Sequence, residues 1–372
     1  MLHALLERHH VGVMSWTAPE WAEVDRFYGT ALSSCEVFLE PLPRWMRTVR
    51  RMLPAGGHLL KHALLLRAAV AAGADYDIVV SANNETDLGR TGIQYIHYPA
   101  RLRPRPAHDQ RWCHRIPFLL ALYYRLGDRL AGFSAERMRR NLTLTNSDWT
   151  GKLVQRLYGV ATRTLYPPIC VNASFPPWAD RPDAFICVGR LNREKAFDRV
   201  IDIVTQVRRT VAHVTLTIVG SSGSAAYRRH LLNRVETEGR WITFLENLPR
   251  HELLDLIGRH RYGIHGMAAE HFGMAPAEMA AAGCIVFVPN DGGQVEIVGG
   301  HRPLLYDTTE GAVAAIVRVM NDPVEQQRLR ALLEARAQLF SVERFASAFR
   351  EIVEECVRSH DLASPAARQG RS

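Results

Sequence analysis

The sequence predicts an α/β protein of two doubly wound domains, and three observations carry that prediction. Short apolar runs alternate with helical patterns along nearly the whole chain. The runs are short and apolar throughout, as strands covered on both faces must be. A proline-rich segment, residues 169–182, divides the series into a first domain at 1–168 and a second at 183–341. The length agrees, because 372 residues are enough for two separate cores. With 47% hydrophobic and 23% charged residues, the composition excludes wholesale disorder, collagen and coiled coil.

In chain order, the first domain opens with Leu2 to Arg8, which reads as the end of a helix feeding a strand at Val11 to Ser15. Doubly wound domains place a central strand and its loop ahead of such a helix, so a first strand is expected to be missing. Further strands are expected at Glu36 to Leu39, Asp77 to Ala82, Ile93 to His97 and Leu142 to Thr145. Asn146-Ser147-Asp148 then offers caps for a helix over Trp149 to Tyr158. Between Tyr166 and Pro182 the periodicity stops, and this stretch reads as a linker.

The second domain has strands at Ala184 to Val188, Val214 to Val219, Ile242 to Leu245, Tyr262 to His265, Cys284 to Val288 and Leu304 to Tyr306. Helices fit Asp198 to Val207, with Val200, Ile203, Val204 and Val207 on one face, and also Ala225 to Val235, Arg250 to Ile257 and Gly311 to Met320. A last amphipathic helix over 342–358 is expected to pack back toward the first domain, and 359–372 to be a disordered tail.

No apolar run approaches the roughly 18 residues of a membrane span. The longest, Ile116 to Tyr124 between Arg115 and Arg125, reads as a buried helix or an interfacial patch. Met1 to His10 lacks the features of a secretory signal, so a cytoplasmic protein is expected. The six cysteines are scattered without metal or disulfide spacing and read as buried free thiols. Residues 1–166 hold 22 Lys and Arg against 14 Asp and Glu, whereas the remainder is balanced at 24 against 24. All of the +8 excess therefore sits in the first half, a property of partners rather than of fold. Basic clusters at 44–51, 101–115 and 125–140, beside Trp45, Met46, Trp112 and Phe118, suit either a peripheral hold on an anionic membrane or a solvated arginine-rich surface. No nucleic-acid motif is present, and no nucleic-acid partner is expected.

Two constellations carry chemistry. In Gly263 to Gly283 a strand leads through a loop into a helix, with Pro276 suited to its first turn and Gly283 to the position past its end. Glu270 lies in the loop and Glu278 in the first helical turns. The free N–H groups at such a helix start suit a phosphate, and two carboxylates near it suit sugar or ribose hydroxyls, or simply complement the helix dipole. Gly189-Arg190-Leu191-Asn192-Arg193-Glu194-Lys195 follows the first strand of the same domain, where open α/β sheets bind ligands. Arg190 and Lys195, one of three lysines among 46 basic residues, are placed to bracket a diphosphate. Gly220-Ser221-Ser222-Gly223 fits a phosphate-facing loop or a tight turn equally well.

These motifs resemble the retaining glycosyltransferases of family 4, which have the GT-B fold of two Rossmann-like domains facing a cleft. The resemblance rests on Gly189-Arg190 with Glu194-Lys195, on Glu270 and Glu278 within EHFGMAPAEMAAAG, and on Asp291-Gly292-Gly293 leading to Glu296. Within the family, Ile96-His97-Tyr98-Pro99, Asn146 to Thr150, Leu165 to Pro168 and Glu270 to Gly273 look most like the mannosyltransferases that extend dolichol-linked oligosaccharide. The resemblance implies a nucleotide-sugar donor, with GDP-mannose favoured, and a saccharide or lipid-linked acceptor. It gives His97 and Glu270 catalytic positions, and Arg190, Lys195, Gly273 and Met274 the donor diphosphate. Glu270, Phe272 and Glu278 would bind sugar and ribose, and the base would rest near Asn247 and Leu248. No metal and no further cofactor are implied. The missing first strand and its Gly-rich loop give the competing expectation of a catalytically silent protein that binds a nucleotide sugar or a partner.

Overall fold

The computed structural model describes all residues except 29, 36, 41, 44–45, 47–57, 101, 103–116, 172 and 364–372. The chain divides into two compact units, one of residues 1–146, 150–165 and 345–372, the other of 147–149 and 166–344. The basic clusters at 44–51 and 101–115 lie outside the described residues, apart from Met46 and Leu102.

The first unit runs α1 (Leu2–Leu6), β1 (Gly12–Val13), α2 (Trp21–Tyr28), β2 (Phe38–Leu39), α3 (His58–Ala72), β3 (Val80–Ser81), β4 (Ile93–Ile96), α4 (Pro117–Ala131), α5 (Ala135–Arg139), β5 (Leu142–Thr145), α6 (Asp148–Tyr158) and β6 (Thr162–Thr164). All its strand pairs are parallel, but they form two sheets, β1-β2 and β3-β4-β5-β6, rather than one. The expected strands at Val11 to Ser15 and Asp77 to Ala82 shrink to two residues each, and β6 was not foreseen. Thr162-Arg163-Thr164 alternates half-buried and exposed positions, so it carries no apolar run to find.

The second unit runs β7 (Ala184–Arg190), α7 (Phe197–Arg208), β8 (Thr215–Ser221), α8 (Ala225–Glu238), β9 (Ile242–Glu246), α9 (Arg250–Gly258), β10 (Tyr262–Ile264), α10 (Met274–Ala281), β11 (Ile285–Pro289), α11 (Gln294–Ile297), β12 (Leu305–Tyr306), α12 (Thr309–Met320) and α13 (Pro323–Ala337). Its six parallel strands lie in the order β12-β11-β10-β7-β8-β9. The core is a continuous apolar cluster: Phe185, Ile186 and Cys187 from β7 meet Phe197, Val200, Ile203, Val204 and Val207 from α7. Helix α13 was missed by the sequence reading, because its charged and apolar residues do not segregate and only Leu329 and Leu333 are fully buried.

The expected linker is not a free connection. Ile169 donates its N–H to the Phe340 carbonyl at 2.7 Å. Phe175 lies so close to Gly258 that a Cβ there would sit 1.8 Å from its ring. Arg181 is buried and donates to the carbonyls of Pro176, His260 and Ala282 at 3.0, 3.4 and 2.9 Å. The prolines set an extended path, and these side chains press that path onto the second unit, so the unit begins at Tyr166.

The last helix, α14 (Val342–Ala363), extends five residues beyond the expected end at 358, so 359–363 are helical and the rest of the expected tail lies outside the described residues. It presents Phe345, Phe349, Ile352 and Val353 to Ala4, Leu5, Ile93, Tyr95 and Leu144 in the core of the first unit. Arg163 pairs with Glu355 at 2.9 Å, and Arg8 with Glu354 at 3.4 Å. Cys187 and Cys284 are buried, whereas Cys35, Cys170 and Cys356 are half-buried, which corrects the expectation of buried thiols throughout. Cys113 lies outside the described residues.

Because one buried side chain, Arg181, donates to three carbonyls from separate segments, Arg181→Met should lower the stability of the second unit by about 3 kcal/mol. Urea denaturation measures this, and an unchanged midpoint would refute the clamp.

Candidate active site

In the second unit the strand order reverses between β7 and β10, which are hydrogen-bonded neighbours. At such a switch point the loops leaving the carboxyl ends of the two strands part, and a ligand crevice opens between them. The loop after β7 carries Arg190 and then a turn over Arg193–Lys195, and Ala196 in the left-handed region (φ 49°) starts α7. The loop after β10 carries His265, Gly266 and Glu270. The two loops interlock at Gly266, where a Cβ would lie 2.5 Å from the Ala196 carbonyl oxygen.

This interlock brings Lys195, Glu270 and His265 together. Lys195 Nζ donates to Glu270 Oε2, and His265 Nε2 contacts the same oxygen at 3.1 Å. The side chains of the lysine and the glutamate are nearly buried, and that of the histidine is fully so. Burial alone would raise the Glu270 carboxyl, but the His265 hydrogen bond and the Lys195 charge hold it well below the ordinary carboxylate range. Burial likewise lowers His265 against the pull of Glu270, so the ring is neutral and Nε2 must carry the donated proton. Its Nδ1 is buried without a partner, and its carbonyl accepts from the Tyr306 hydroxyl. With Oε2 committed to two protein donors, Oε1 is the oxygen left to accept from a ligand.

The main chain of Glu270 is fixed from the other side. Gly292, at φ 87°, forms a parallel bridge with Glu270, and Gly293 donates its N–H to the Glu270 carbonyl at 2.7 Å. A Cβ on Gly292 would sit 2.4 Å from that carbonyl oxygen, so the Asp291-Gly292-Gly293 motif permits a backbone approach that no larger residue allows. Gln294 completes the loop by donating to the carbonyls of Met267 and Asp291 at 2.8 and 2.9 Å. Glu296, four residues after Gly292, accepts the N–H groups of Asp148 and Trp149 at 3.0 and 2.8 Å. Helix α10 starts after Gly273 (φ 104°) with no side-chain cap, and Met274 is exposed there. Its far end closes at Gly283 (φ 83°) with Cys284 N–H on the Met279 carbonyl, as the sequence reading expected.

The other residues singled out from the sequence are placed as follows. Arg190 is exposed and pairs with Glu194 at 3.1 Å, a weak surface pair that leaves the guanidinium available. Phe272 is buried, its ring 5.4 Å from that of Phe340 and 5.9 Å from that of Tyr166, so only its main chain can meet a ligand. Glu278 is buried too and accepts from Arg250 at 2.6 Å. Asn247 holds a left-handed backbone (φ 52°) with its N–H on the Gly220 carbonyl. The 220–223 loop is a tight turn against Leu191, whose carbonyl oxygen would lie 2.4 Å from a Cβ on Gly223. His97 belongs to the first unit, directly after β4, where it is exposed and meets Tyr95 edge-on at 4.6 Å.

Sequence reasoning missed His265 and Arg250. His265 stood within the Gly263 to Gly283 stretch, five residues before Glu270, and a histidine at a strand's carboxyl end next to a candidate carboxylate was a usable signal. Arg250 opens α9, 28 residues from its partner, and no local spacing marks it.

Residues 173–338 match the glycosyl transferases group 1 family. Among curated proteins, the chain is 27% identical to the GDP-Man:Man(3)GlcNAc(2)-PP-Dol alpha-1,2-mannosyltransferase of Candida glabrata, over 53% of this chain and 42% of that protein. It is 25% identical to the Homo sapiens protein of the same description, over 58% of this chain and 48% of the other. It is 30% identical to glycogen synthase of Mycobacterium tuberculosis, over 42% and 40%. The chain thus spans about half the length of the curated relatives it matches. Among solved structures, sucrose-phosphate synthase from Thermosynechococcus elongatus superposes with a TM-score of 0.67 at 16% identity, covering 96% of this chain and 91% of that one. Anabaena HepE in complex with UDP gives 0.65 at 16%, covering 95% and 94%.

Glu270 contributes stability that is present above the ordinary glutamate pKa of about 4.3 and is lost as pH falls toward its depressed native value. Glu270→Gln should therefore cost stability at pH 7 and progressively less below pH 4. Urea melts at both pH values measure this, and a pH-independent difference would contradict the charged cluster.

Proposed function

We propose that this chain, whose second unit is a group 1 glycosyltransferase domain on a GT-B fold, transfers a hexose from a nucleotide-diphosphate sugar to a saccharide or lipid-linked acceptor. The observation that carries the reading is the Lys195, His265 and Glu270 cluster at the switch point, beside the uncapped start of α10. A donor diphosphate fits Lys195, Arg190 and the Gly273 and Met274 main chain, with the helix dipole behind them. Glu270 Oε1 accepts from hydroxyls of the donor sugar. Glu278, oriented by Arg250, is assigned to the ribose, and the Asn247 and Leu248 main chain to the base. The description of the fungal and human relatives supports mannose and GDP as donor components.

We read the transfer as retaining. The acceptor oxygen bonds to the sugar C1 on the face the diphosphate leaves, the C1–O bond to phosphate breaks, and the acceptor proton passes to a phosphate oxygen. Lys195 and Arg190 stabilise the charge gathering on the leaving nucleotide, the part of the reaction where fixed cations lower the barrier most. That assigns to protein cations the neutralisation a divalent metal provides elsewhere. His97 is assigned a catalytic role. The basic excess of residues 1–166 supports work at an anionic membrane on the cytoplasmic side, and no helix among the described residues is long and apolar enough to cross one.

Titration with GDP-mannose, UDP-glucose and UDP-N-acetylglucosamine should raise the thermal midpoint for one donor, by the equivalent of about 2.7 kcal/mol at a hundredfold excess over its Kd. Lys195→Ala should abolish that shift, and EDTA should leave turnover of the same donor unchanged. No shift with any donor in a folded sample would favour the catalytically silent alternative, and EDTA-sensitive turnover would remove the metal-free step.

A further inference from the structure

We propose that the exposed face of α4 (Pro117–Ala131) is a docking surface for an anionic lipid bilayer. This deepens, and rests on, the membrane reading given above. Phe118, Leu122, Leu126 and Leu130 recur every four residues and are 76, 54, 57 and 37% exposed. They form a single ridge along the helix. Four of the ten exposed large hydrophobic residues among the described residues thus lie on one line of one helix. Such clustering marks an interaction site rather than scattered surface apolarity. The helix is held in place by packing on α3, so the ridge is a fixed feature of the first unit.

Charge decides what meets the ridge. Arg125 and Arg129 are exposed beside it, one turn apart, and neither forms an ion pair among the described residues. Nearby arginines are neutralised instead: Arg137 pairs with Asp87 at 2.8 Å and Arg140 with Glu136 at 2.6 Å. The one acidic residue of α4, Asp128, is half-buried. A second copy seated on this ridge by a two-fold axis would bring the same arginine row against itself, an arrangement penalised by like charge and desolvation. An anionic bilayer accepts both components. The apolar ridge enters the headgroup–acyl boundary, while the arginine stems lie along it and raise their guanidinium groups to lipid phosphates. The helix is about 22 Å long, too short to span and of a length to lie in the interface. The sequence left the run at Ile116 to Tyr124 open between a buried helix and an interfacial patch, and the exposure of Phe118 and Leu122 favours the second.

Sedimentation of the full chain with vesicles tests this, using phosphatidylcholine alone and phosphatidylcholine mixed with phosphatidylserine. Binding should require the anionic lipid. Arg125→Gln and Arg129→Gln should each weaken it about fivefold, and Leu122→Glu with Leu126→Glu should abolish it. All these variants should keep the donor-induced thermal shift, which reports an intact second unit. Vesicle binding unchanged in the variants would overturn the proposal, as would equal binding to both vesicle types. A dimer seen by light scattering, lost in the leucine variants and accompanied by no vesicle binding, would assign the ridge to a second copy instead. Vesicle binding without any donor shift would sink the transferase reading and leave the α4 surface standing.

Discussion

The second unit depends on a carboxylate that is largely withdrawn from water. Glu270 is nearly buried, and its charge survives because Lys195 and His265 converge on one of its oxygens. A buried charge that lost either partner would be strongly destabilising, so the segments delivering those partners are constrained together. Lys195 arrives from the loop after β7, and His265 from the end of β10. The two strands must be neighbours, and the sheet order reverses between them. Gly266 permits the loops to interlock, and Gly292 permits the backbone of a third loop to bridge Glu270 from behind. The geometry that satisfies one carboxylate thereby also fixes the mouth of the crevice.

The same arrangement leaves Glu270 preorganised. Glu270 has committed one oxygen and kept the other, so a ligand hydroxyl meets a carboxylate that is already oriented and already charged. Preorganisation of this kind places the cost of ordering in folding rather than in binding. Arg190 is built on the opposite principle, exposed and held only by Glu194, so it can close on a phosphate after the ligand arrives. Glu278 is the third type. It is buried against Arg250, where burial pushes the carboxyl up and the guanidinium opposes the rise.

Much of the second unit was legible in the sequence because its signals are local. Strands such as Phe185 to Cys187 are buried on both faces and read as apolar runs, and Pro276 and Gly283 mark the two ends of α10 in the chemistry of single residues. Lys195 and Glu270 were legible for the same reason, since each follows a strand end. What was illegible depends on distance or on the absence of contrast. Arg250 is separated from Glu278 by a whole strand and loop. Helix α13 mixes its charges around the axis, so no period emerges. The segment at 169–182 looked like a linker because proline suppresses periodicity whether a chain is free or packed. Only tertiary facts, the Gly258 notch for Phe175 and the three carbonyls awaiting Arg181, distinguish the two cases. The first unit reads less well, because β1, β2 and β3 are two residues long and carry little apolar pattern.

The two halves also differ in charge, and the difference matches what the proposed reading asks each to recognise. With 24 basic against 24 acidic residues, the chain beyond 166 has no net formal charge to draw an anion in from a distance. On the proposed reading, its selectivity for a diphosphate comes from placement: a lysine fixed by a carboxylate, an arginine on a short tether, and main-chain N–H groups at a helix start. Such contacts discriminate by geometry, because a phosphate displaced by an ångström loses them. The first half carries the whole excess on long arginine side chains, and those of α4 lie beside exposed leucines, an arrangement indifferent to the shape of the anion it meets. A surface of that kind holds an extended charged plane well and a small ligand poorly, since its attraction sums over many weak contacts. The lipid-linked acceptor proposed above would present both problems at once, a membrane to be held without shape and a sugar to be matched with it. The uneven distribution of arginine along this chain is the physical form those two demands would take.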